Sequence, residues 1–403
     1  MHDDDNQGAS SPGNKKRLAI IATHPVQYNS PLYRALTAST RIEPRVFYTW
    51  SQTASGQQYD PGFGIDVKWD IPLLEGYEHE FVANIARRPG SDHFFGIRTP
   101  TLISKVLAWQ PNAVLIYGWN YEAHLRAMLA LKGRVPIFLR GDSTVLDPIS
   151  PVRAFARWML LSWVYRHIDV ALAVGENNRE YFEWCGVARS SICFAPHSVD
   201  NDRFSDADRE HEMRAQAWRR ELGIPDDAVT LVFAGKLVPK KDPLLLLDAF
   251  LQANAHAHLV IVGNGVLEEV ARARAQGHLN VHFLPFQNQS VMPTVYRLGD
   301  IFILPSRGPG ETWGLALNEA MASSRAVIAG NRVGAARDLI AHADHGWLFE
   351  SGNLESLRDV LERALALERS VLKVMGKAAR RRIDGWSTQA AADGISEAIA
   401  RFA

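Results

Sequence analysis

Short apolar runs alternate along this chain with longer stretches in which apolar residues recur at helical spacing. Arg17-Leu-Ala-Ile-Ile-Ala-Thr23 is one such run. It stops at Pro25 and reads as a first buried parallel strand. Similar runs lie at Ala113–Tyr117, Ile137–Arg140 and Asp169–Val174, with helical patterns at Tyr121–Lys132, Val152–His167 and Asn177–Trp184. A polar, irregular stretch from Pro196 to Asp208 reads as a linker. A second alternation follows, with strands expected at Val229–Ala234, Leu259–Val262, Val281–Leu284, Ile301–Leu304 and Ala326–Ala329. A helix is expected from Pro243, whose ring suits a first helical turn. Beyond Leu354 the pattern is helical almost to the end, with a break at Asp384-Gly-Trp-Ser387. Strands alternating with helices predict parallel, doubly wound sheets. The fold class is therefore α/β, with two Rossmann-like domains in tandem, residues 17–200 and 201–386, and a cleft between them.

Composition adds limits rather than direction. The 403 residues suit two domains, and 47% hydrophobic with 22% charged residues is ordinary for globular protein. A formal net charge of zero gives no global basic face for nucleic acid. The two cysteines, Cys185 and Cys193, have no metal-site spacing and build no disulfide framework, which points to a reducing compartment. Met1 to Lys16 is polar, contains Asp3-Asp4-Asp5 and lacks the apolar centre of a signal peptide; it reads as a disordered tail. No apolar run approaches the roughly 20 residues of a membrane span. A cytoplasmic location is the resulting expectation.

In open parallel sheets, ligands bind beyond the carboxyl ends of the strands. Three groups of the second alternation fall there: Gly235-Lys236 with Lys240-Lys241, Gly263-Asn264-Gly265, and Pro309-Gly-Glu311-Thr-Trp-Gly314-Leu315-Ala-Leu-Asn-Glu319. A nucleoside diphosphate needs cationic donors and free backbone amides. Lys236 and Lys241 supply the first, and Gly314-Leu315-Ala316 at a helix N-terminus the second. Glu311 and Glu319 are eight residues apart. They span about two turns if one helix holds both, or bracket an extended ligand if Glu311 precedes the helix. Carboxylates suit the hydroxyls of a ribose or sugar. Taken singly, each group has a plainer reading: a solvated lysine pair, a tight turn, a solvent-facing glutamate pair. Their joint placement on one sheet edge favours the donor site.

On these residues the chain resembles the family-4 retaining glycosyltransferases of the GT-B fold. The resemblance covers Val229 to Phe349 and, more loosely, the rest. Its core is Glu311-x7-Glu319, supported by Gly235-Lys-Leu-Val-Pro-Lys-Lys241, Val262-Gly-Asn-Gly265 and Pro196-His-Ser-Val-Asp200. The resemblance implies that Glu319 holds the nucleotide ribose and Glu311 the donor sugar. Lys236 and Lys241 would clamp the diphosphate, so Glu311, Lys241 and Lys236 form the catalytic set. Gly235, Gly263, Asn264, Gly265, Phe286, Gly314 and Leu315 would complete the donor site. Lys236 stands where the family usually has Arg, which removes the bidentate fork; Trp313 stands where it often has Phe, and plain core packing would explain it. With no Asp-x-Asp after an N-terminal strand, neither a metal nor another cofactor is expected. The implied activity is retaining transfer from a nucleotide-diphosphate sugar to a glycan, lipid-linked or small-molecule acceptor. Another GT-B-like enzyme, such as a nucleotide-sugar epimerase, or a non-catalytic nucleotide-sugar-binding protein, is the alternative. The resemblance also implies that a last helix, 387–403, capped by Ser387, packs Ile395 and Ile399 back on the N-terminal domain.

The N-terminal half departs from that pattern. Where many relatives carry a glycine-rich loop, this chain reads Thr23-His24-Pro-Val-Gln27-Tyr28-Asn29-Ser30. Side chains such as His24 and Gln27 would replace backbone contacts, and His24, with a reference pKa near neutral, could accept a hydrogen bond or carry charge near the phosphates. Acceptor candidates are His24, Gln27, Trp119, Asn120 and Arg140; Arg140 and Asp142 could instead form an ion pair, and His124 reads as structural. The stretch Val152–His167 combines Arg153, Arg157 and Arg166 with Phe155, Trp158, Leu160, Leu161 and Trp163. Such a helix either lies on a membrane interface, here at the inner face, or packs on the sheet with solvated arginines.

Overall fold

The first run forms strand β1 (Lys16–Ala22), whose residues from Leu18 onward are all buried, as a central parallel strand requires. The computed structural model describes residues 15–60, 62–253, 256–340 and 344–403; the expected polar tail lies outside these through residue 14. Around β1 the N-terminal domain assembles β2 (Ile42–Tyr48), β5 (Glu78–Phe81), β6 (Ala113–Tyr117), β7 (Ile137–Arg140), β8 (Val170–Ala173) and β9 (Ile192–Phe194). Their order is β5-β2-β1-β6-β7-β8-β9, all parallel. A separate antiparallel hairpin, β3 (Gln57–Asp60) with β4 (Ile65–Lys68), stands outside the sheet. The C-terminal domain repeats the plan with β10 (Thr230–Ala234), β11 (His258–Val262), β12 (Val281–Leu284), β13 (Ile301–Leu304), β14 (Ala326–Gly330) and β15 (Gly346–Phe349), ordered β12-β11-β10-β13-β14-β15. The architecture is thus two Rossmann-like α/β domains in tandem.

Both sheets reverse direction beside their first strand. In the N-terminal sheet β2 and β6 flank β1; in the C-terminal sheet β11 and β13 flank β10. These are topological switch points, where loops diverge and leave a crevice. Each sheet buries an apolar layer on both faces.

The chain crosses between domains twice at one place, where Val199 bridges Ser387 and the Asn201 amide donates to the Ile383 carbonyl at 3.1 Å. The expected irregular linker holds a short helix, Asn201–Phe204. Its Phe204 is wholly buried in the C-terminal core. The helix Thr388–Phe402 returns to the N-terminal sheet, with Ala391, Ile395 and Ile399 in that core, and Ser387 caps it by accepting from Ala390 N at 3.1 Å.

Several N-terminal elements lacked a clear signal. β2 contains Pro44, which argues against a sheet interior. β5 pairs only from Arg45 onward, so at Pro44 the strand has β1 alone beside it.

Candidate active site

At the C-terminal switch point, the loop after β10 and the helix Leu315–Ala322 face each other across a cavity of about 380 Å³. Gly235, Lys236, Lys241, Gly263, Phe286, Glu311, Gly314, Leu315 and Glu319 all line it. Gly314 starts the helix at φ 97°, a conformation that favours glycine. A Cβ there would also meet Val333 and Leu304 below 3.0 Å. The Leu315 and Ala316 amides thus open the helix with no helical carbonyl behind them, and both residues line the cavity.

Glu311 precedes this helix, so the two glutamates bracket the cavity rather than share a helix face. Its carboxylate is buried. Lys241 Nζ lies 2.9 Å from Oε1 and 2.7 Å from Oε2, and Ser306 donates to Oε2 at 3.1 Å. Burial pushes the Lys241 ammonium below its ordinary pKa, and the charge of Glu311 opposes that shift. Lys240, by contrast, is exposed and donates to the Gly310 carbonyl.

Glu319 lies deeper, 2% exposed. Tyr296 donates to its Oε2 at 2.5 Å, while Oε1 has no hydrogen bond and stands 3.9 Å from Arg203 Nη2. Burial raises its pKa, and the charge of Arg203 and the neighbouring Tyr296 and Tyr28 hydroxyls counter this. A buried acceptor without a hydrogen bond on a cavity wall suits a ligand with hydroxyl donors.

Two expected donor residues lie elsewhere. Neither Asn264 nor Gly265 lines the cavity. The Asn264 side chain accepts from Phe286 N at 2.7 Å and donates to Glu268 at 2.9 Å, so its hydrogen-bonding groups are spent on the loop. Gly263, at φ 133°, crosses so close to the β10 loop that a Cβ would lie 2.0 Å from the Gly235 carbonyl oxygen. Trp313 is both core and cavity wall, with its indole donating to Asn318 Oδ1 at 2.9 Å.

The N-terminal candidates separate. Gln27 lines the main cavity, and His24 lines a second one of about 280 Å³. Gln27, Asp60, Trp69 and Lys236 border both. Burial lowers the His24 pKa to about 4, which favours the neutral, hydrogen-bonding imidazole over the charged one. Trp119, half-buried, packs on the N-terminal core, Asn120 is exposed, and neither lines the cavities. Arg140 is buried and donates to the Ala195 and Pro196 carbonyls at 2.6 and 2.8 Å. It holds the chain leaving β9, lines neither cavity and forms no ion pair with Asp142 among the described residues. Asp142 instead accepts from Thr312 Oγ1 at 2.7 Å across the cleft.

The hairpin brings residues that the pattern of the chain did not single out. Asp60 Oδ2 accepts from Lys236 Nζ at 2.8 Å. Burial would raise the Asp60 pKa, but the Lys236 ammonium and the Phe63 and Gly62 amides outweigh it and hold the carboxyl below its ordinary value. Phe63 packs against Phe286 with ring centres 4.8 Å apart, and Asp70 accepts from Ser290 N at 3.0 Å. His197, just after β9, also lines the main cavity, with burial lowering its pKa to about 4.

Two-domain glycosyltransferases share this architecture. HepE of Anabaena, solved in complex with UDP and glucose, superposes with a TM-score of 0.68 at 17% identity, covering 96% of this chain and all of that one (100%). The sucrose-phosphate synthase of Thermosynechococcus elongatus superposes at 0.69 and 17% identity, covering 96% and 99% of the two chains. The fold is therefore GT-B. Within it, residues 214–382 match the family model described as "Glycosyl transferases group 1". The D-inositol 3-phosphate glycosyltransferase of Geodermatophilus obscurus is 31% identical over 236 residues, which is 54% of this chain and 49% of that protein. The sulfoquinovosyl transferase SQD2 of Arabidopsis thaliana is 27% identical over 310 residues, 73% of this chain and 57% of that one. The chain thus spans about half the length of these curated relatives.

Proposed function

We propose that this chain is a glycosyltransferase that takes a sugar from a nucleotide-diphosphate donor. The observation that carries this reading is the cavity at the C-terminal switch point. There a buried Lys241–Glu311 pair, a Glu319 oxygen without a hydrogen bond and the amides of a helix start converge. The donor diphosphate would lie against Lys241, Lys236 and the Leu315 and Ala316 amides. These groups stabilise the negative charge that grows on the departing nucleoside diphosphate. Glu319 would hold the ribose through Oε1, and Glu311 the sugar hydroxyls. The two cations are the basis for transfer without a required metal. We further propose family-4 membership and a retained anomeric configuration, on the strength of Glu311-x7-Glu319. The acceptor is a glycan, a lipid-linked sugar or a small molecule. It would enter from the N-terminal side, through the cavity bordered by His24 and Gln27.

The purified chain, given a panel of nucleotide sugars, should release a nucleoside diphosphate with one of them, with chelator present. Absence of binding and release across the panel would sink the reading. Activity that vanished with chelator and returned with magnesium or manganese would remove its metal-free part. An inverted anomeric centre in the product, read by NMR, would remove its retaining part.

A further inference from the structure

The helix Pro151–Tyr165 is apolar on the side where a sheet-packed helix should be polar. Its inward face carries the buried Leu161, Val164 and Tyr165. Its outward face carries Val152, Phe155, Met159 and Trp163, spaced three, four and four residues apart, and these are 80%, 61%, 54% and 44% exposed. Trp158 and Leu160 flank this stripe, and Val145 and Ile149 extend it into the loop before the helix; all four are exposed. No described element covers the stripe.

Charge selects what covers it. Between Asp147 and Asp169 there is no acidic residue, while Arg153, Arg157 and Arg166 are all cationic. Arg157 leans inward over the Tyr181 ring, 5.8 Å from its centre. Arg153 and Arg166 are exposed and form no ion pair among the described residues. A symmetric contact between two copies of this face would bring arginines together with no acid on the helix to meet them. An anionic bilayer meets both demands, taking the aromatic and aliphatic stripe into its interface and the arginines against its phosphates.

We propose that the helix Pro151–Tyr165 and the loop before it form a docking surface for an anionic lipid bilayer. The surface adjoins the mouth of the cleft. The same loop places Asp142 on Thr312 and Asp147 on Gly310 N, at 2.7 and 2.9 Å. Docking would therefore bring the cleft close to the headgroups. It rests on the exposed face and not on the transfer reaction.

Vesicle flotation of the full chain tests this. The protein should float with phosphatidylcholine vesicles containing phosphatidylglycerol, much less with phosphatidylcholine alone, and less in high salt. Phe155→Glu with Trp163→Glu should abolish flotation. Arg153→Glu with Arg166→Glu should weaken it by more than about tenfold. Leu279→Glu, at a 92% exposed position of the C-terminal domain, should leave it unchanged. These substitutions fall on exposed side chains, and unchanged melting will verify the fold. Three results would overturn the proposal. One is no flotation with either vesicle. Another is flotation that the stripe and arginine substitutions leave intact. The third is sedimentation showing a dimer that Phe155→Glu dissolves, which would give the face to a second copy.

Discussion

The two walls of the cleft are built on the same plan and differ in how they carry function. On the C-terminal wall, the loops of neighbouring strands at the switch point converge on one cavity. Lys241, Glu311, Gly314 and Glu319 meet there from two stretches of chain. On the N-terminal wall, two of the expected site residues, Trp119 after β6 and Arg140 at the end of β7, turn back into the domain. Trp119 packs on the core, and Arg140 spends its guanidinium on the Ala195 and Pro196 carbonyls. The loop after β1 opens to both cavities, Asp142 after β7 and His197 after β9 reach the main one, and the hairpin β3–β4, which belongs to neither sheet, adds Asp60 and Phe63. A strand end is therefore a reliable guide to a ligand when its side chains lack partners of their own, and a poor one when the domain uses them as struts.

The sharpest test of this contrast is at the Lys241–Glu311 pair. Lys241→Ala should lower turnover at least about a hundredfold if, as proposed, it removes a cation set against the leaving group. It should also destabilise the fold by about 3 kcal/mol, because Glu311 is left buried without its counter-charge. Trp119→Ala, on the other wall, should cost stability but leave the donor KM unchanged. Steady-state kinetics with donor and acceptor varied separately, together with thermal melts, will separate the two. If Lys241→Ala turned over like the parent, the C-terminal wall would not be the donor site.

A smaller effect is expected at Glu319. Glu319→Ala should weaken nucleoside diphosphate binding by about 1–3 kcal/mol, measured by calorimetry. Tyr296, which donates to Oε2, loses its partner in this variant, so its melting point needs checking beside the affinity. Unchanged affinity in a folded variant would take the ribose away from this carboxylate.

This contrast also explains what the chain's pattern made visible. The strands of both sheet centres announce themselves as unbroken apolar runs, because a parallel strand covered on both faces admits little else. Glu311, Glu319 and the lysines were legible because backbone geometry alone brings strand ends together. The hairpin was not. Gln57-Gln-Tyr-Asp60 and Ile65-Asp-Val-Lys68 are short and mostly polar, as suits two strands with little core to cover. Asp60 acquires its role only through Lys236, 176 residues away, and no local pattern encodes that distance. Arg140 misled for the opposite reason: a charged residue ending a buried strand looks like a site residue until its carbonyl partners are seen.

Acidification probes the N-terminal wall separately. Burial lowers the pKa of both His24 and His124 to about 4, against an ordinary 6.5. The unfolded chain therefore takes up protons first as pH falls. The stability tied to each neutral imidazole is full above pH 6.5 and is lost as pH falls toward and through about 4. At pH 5.5 each histidine should cost about 1 kcal/mol relative to pH 7. His124, held between Thr49 Oγ1 at 2.9 Å and the Gly118 carbonyl at 3.0 Å, offers the cleaner variant. His124→Gln should melt lower at pH 7 yet lose less on going to pH 5.5. A parent chain whose melting point is flat across this range would show these imidazoles to be freer than their surroundings imply.

The smallest effect is expected where the two walls touch. Lys236 cannot offer its full charge to a diphosphate while Asp60 holds it at 2.8 Å. The contact is about a third exposed to solvent, with side chains 35% and 26% accessible, so its strength is modest. Asp60→Asn keeps the shape and removes the charge. If the carboxylate merely competes with the donor, this variant should bind nucleoside diphosphate a few-fold more tightly, and the gain should shrink in high salt. If the hairpin instead closes over the bound donor, affinity should fall, because Asp60 would be lost as the anchor that draws Phe63 onto Phe286. Lys236→Ala discriminates further. Under competition, Asp60→Asn should have no effect on binding once Lys236 is gone, whereas a closing hairpin that works through Phe63 and Asp70 should still register the change. Calorimetric titration of the parent, the two single variants and the double variant gives the coupling between these residues directly. A coupling near zero would mean that the hairpin and the donor lysine act independently, and the N-terminal wall would then shape only the acceptor side of the cleft.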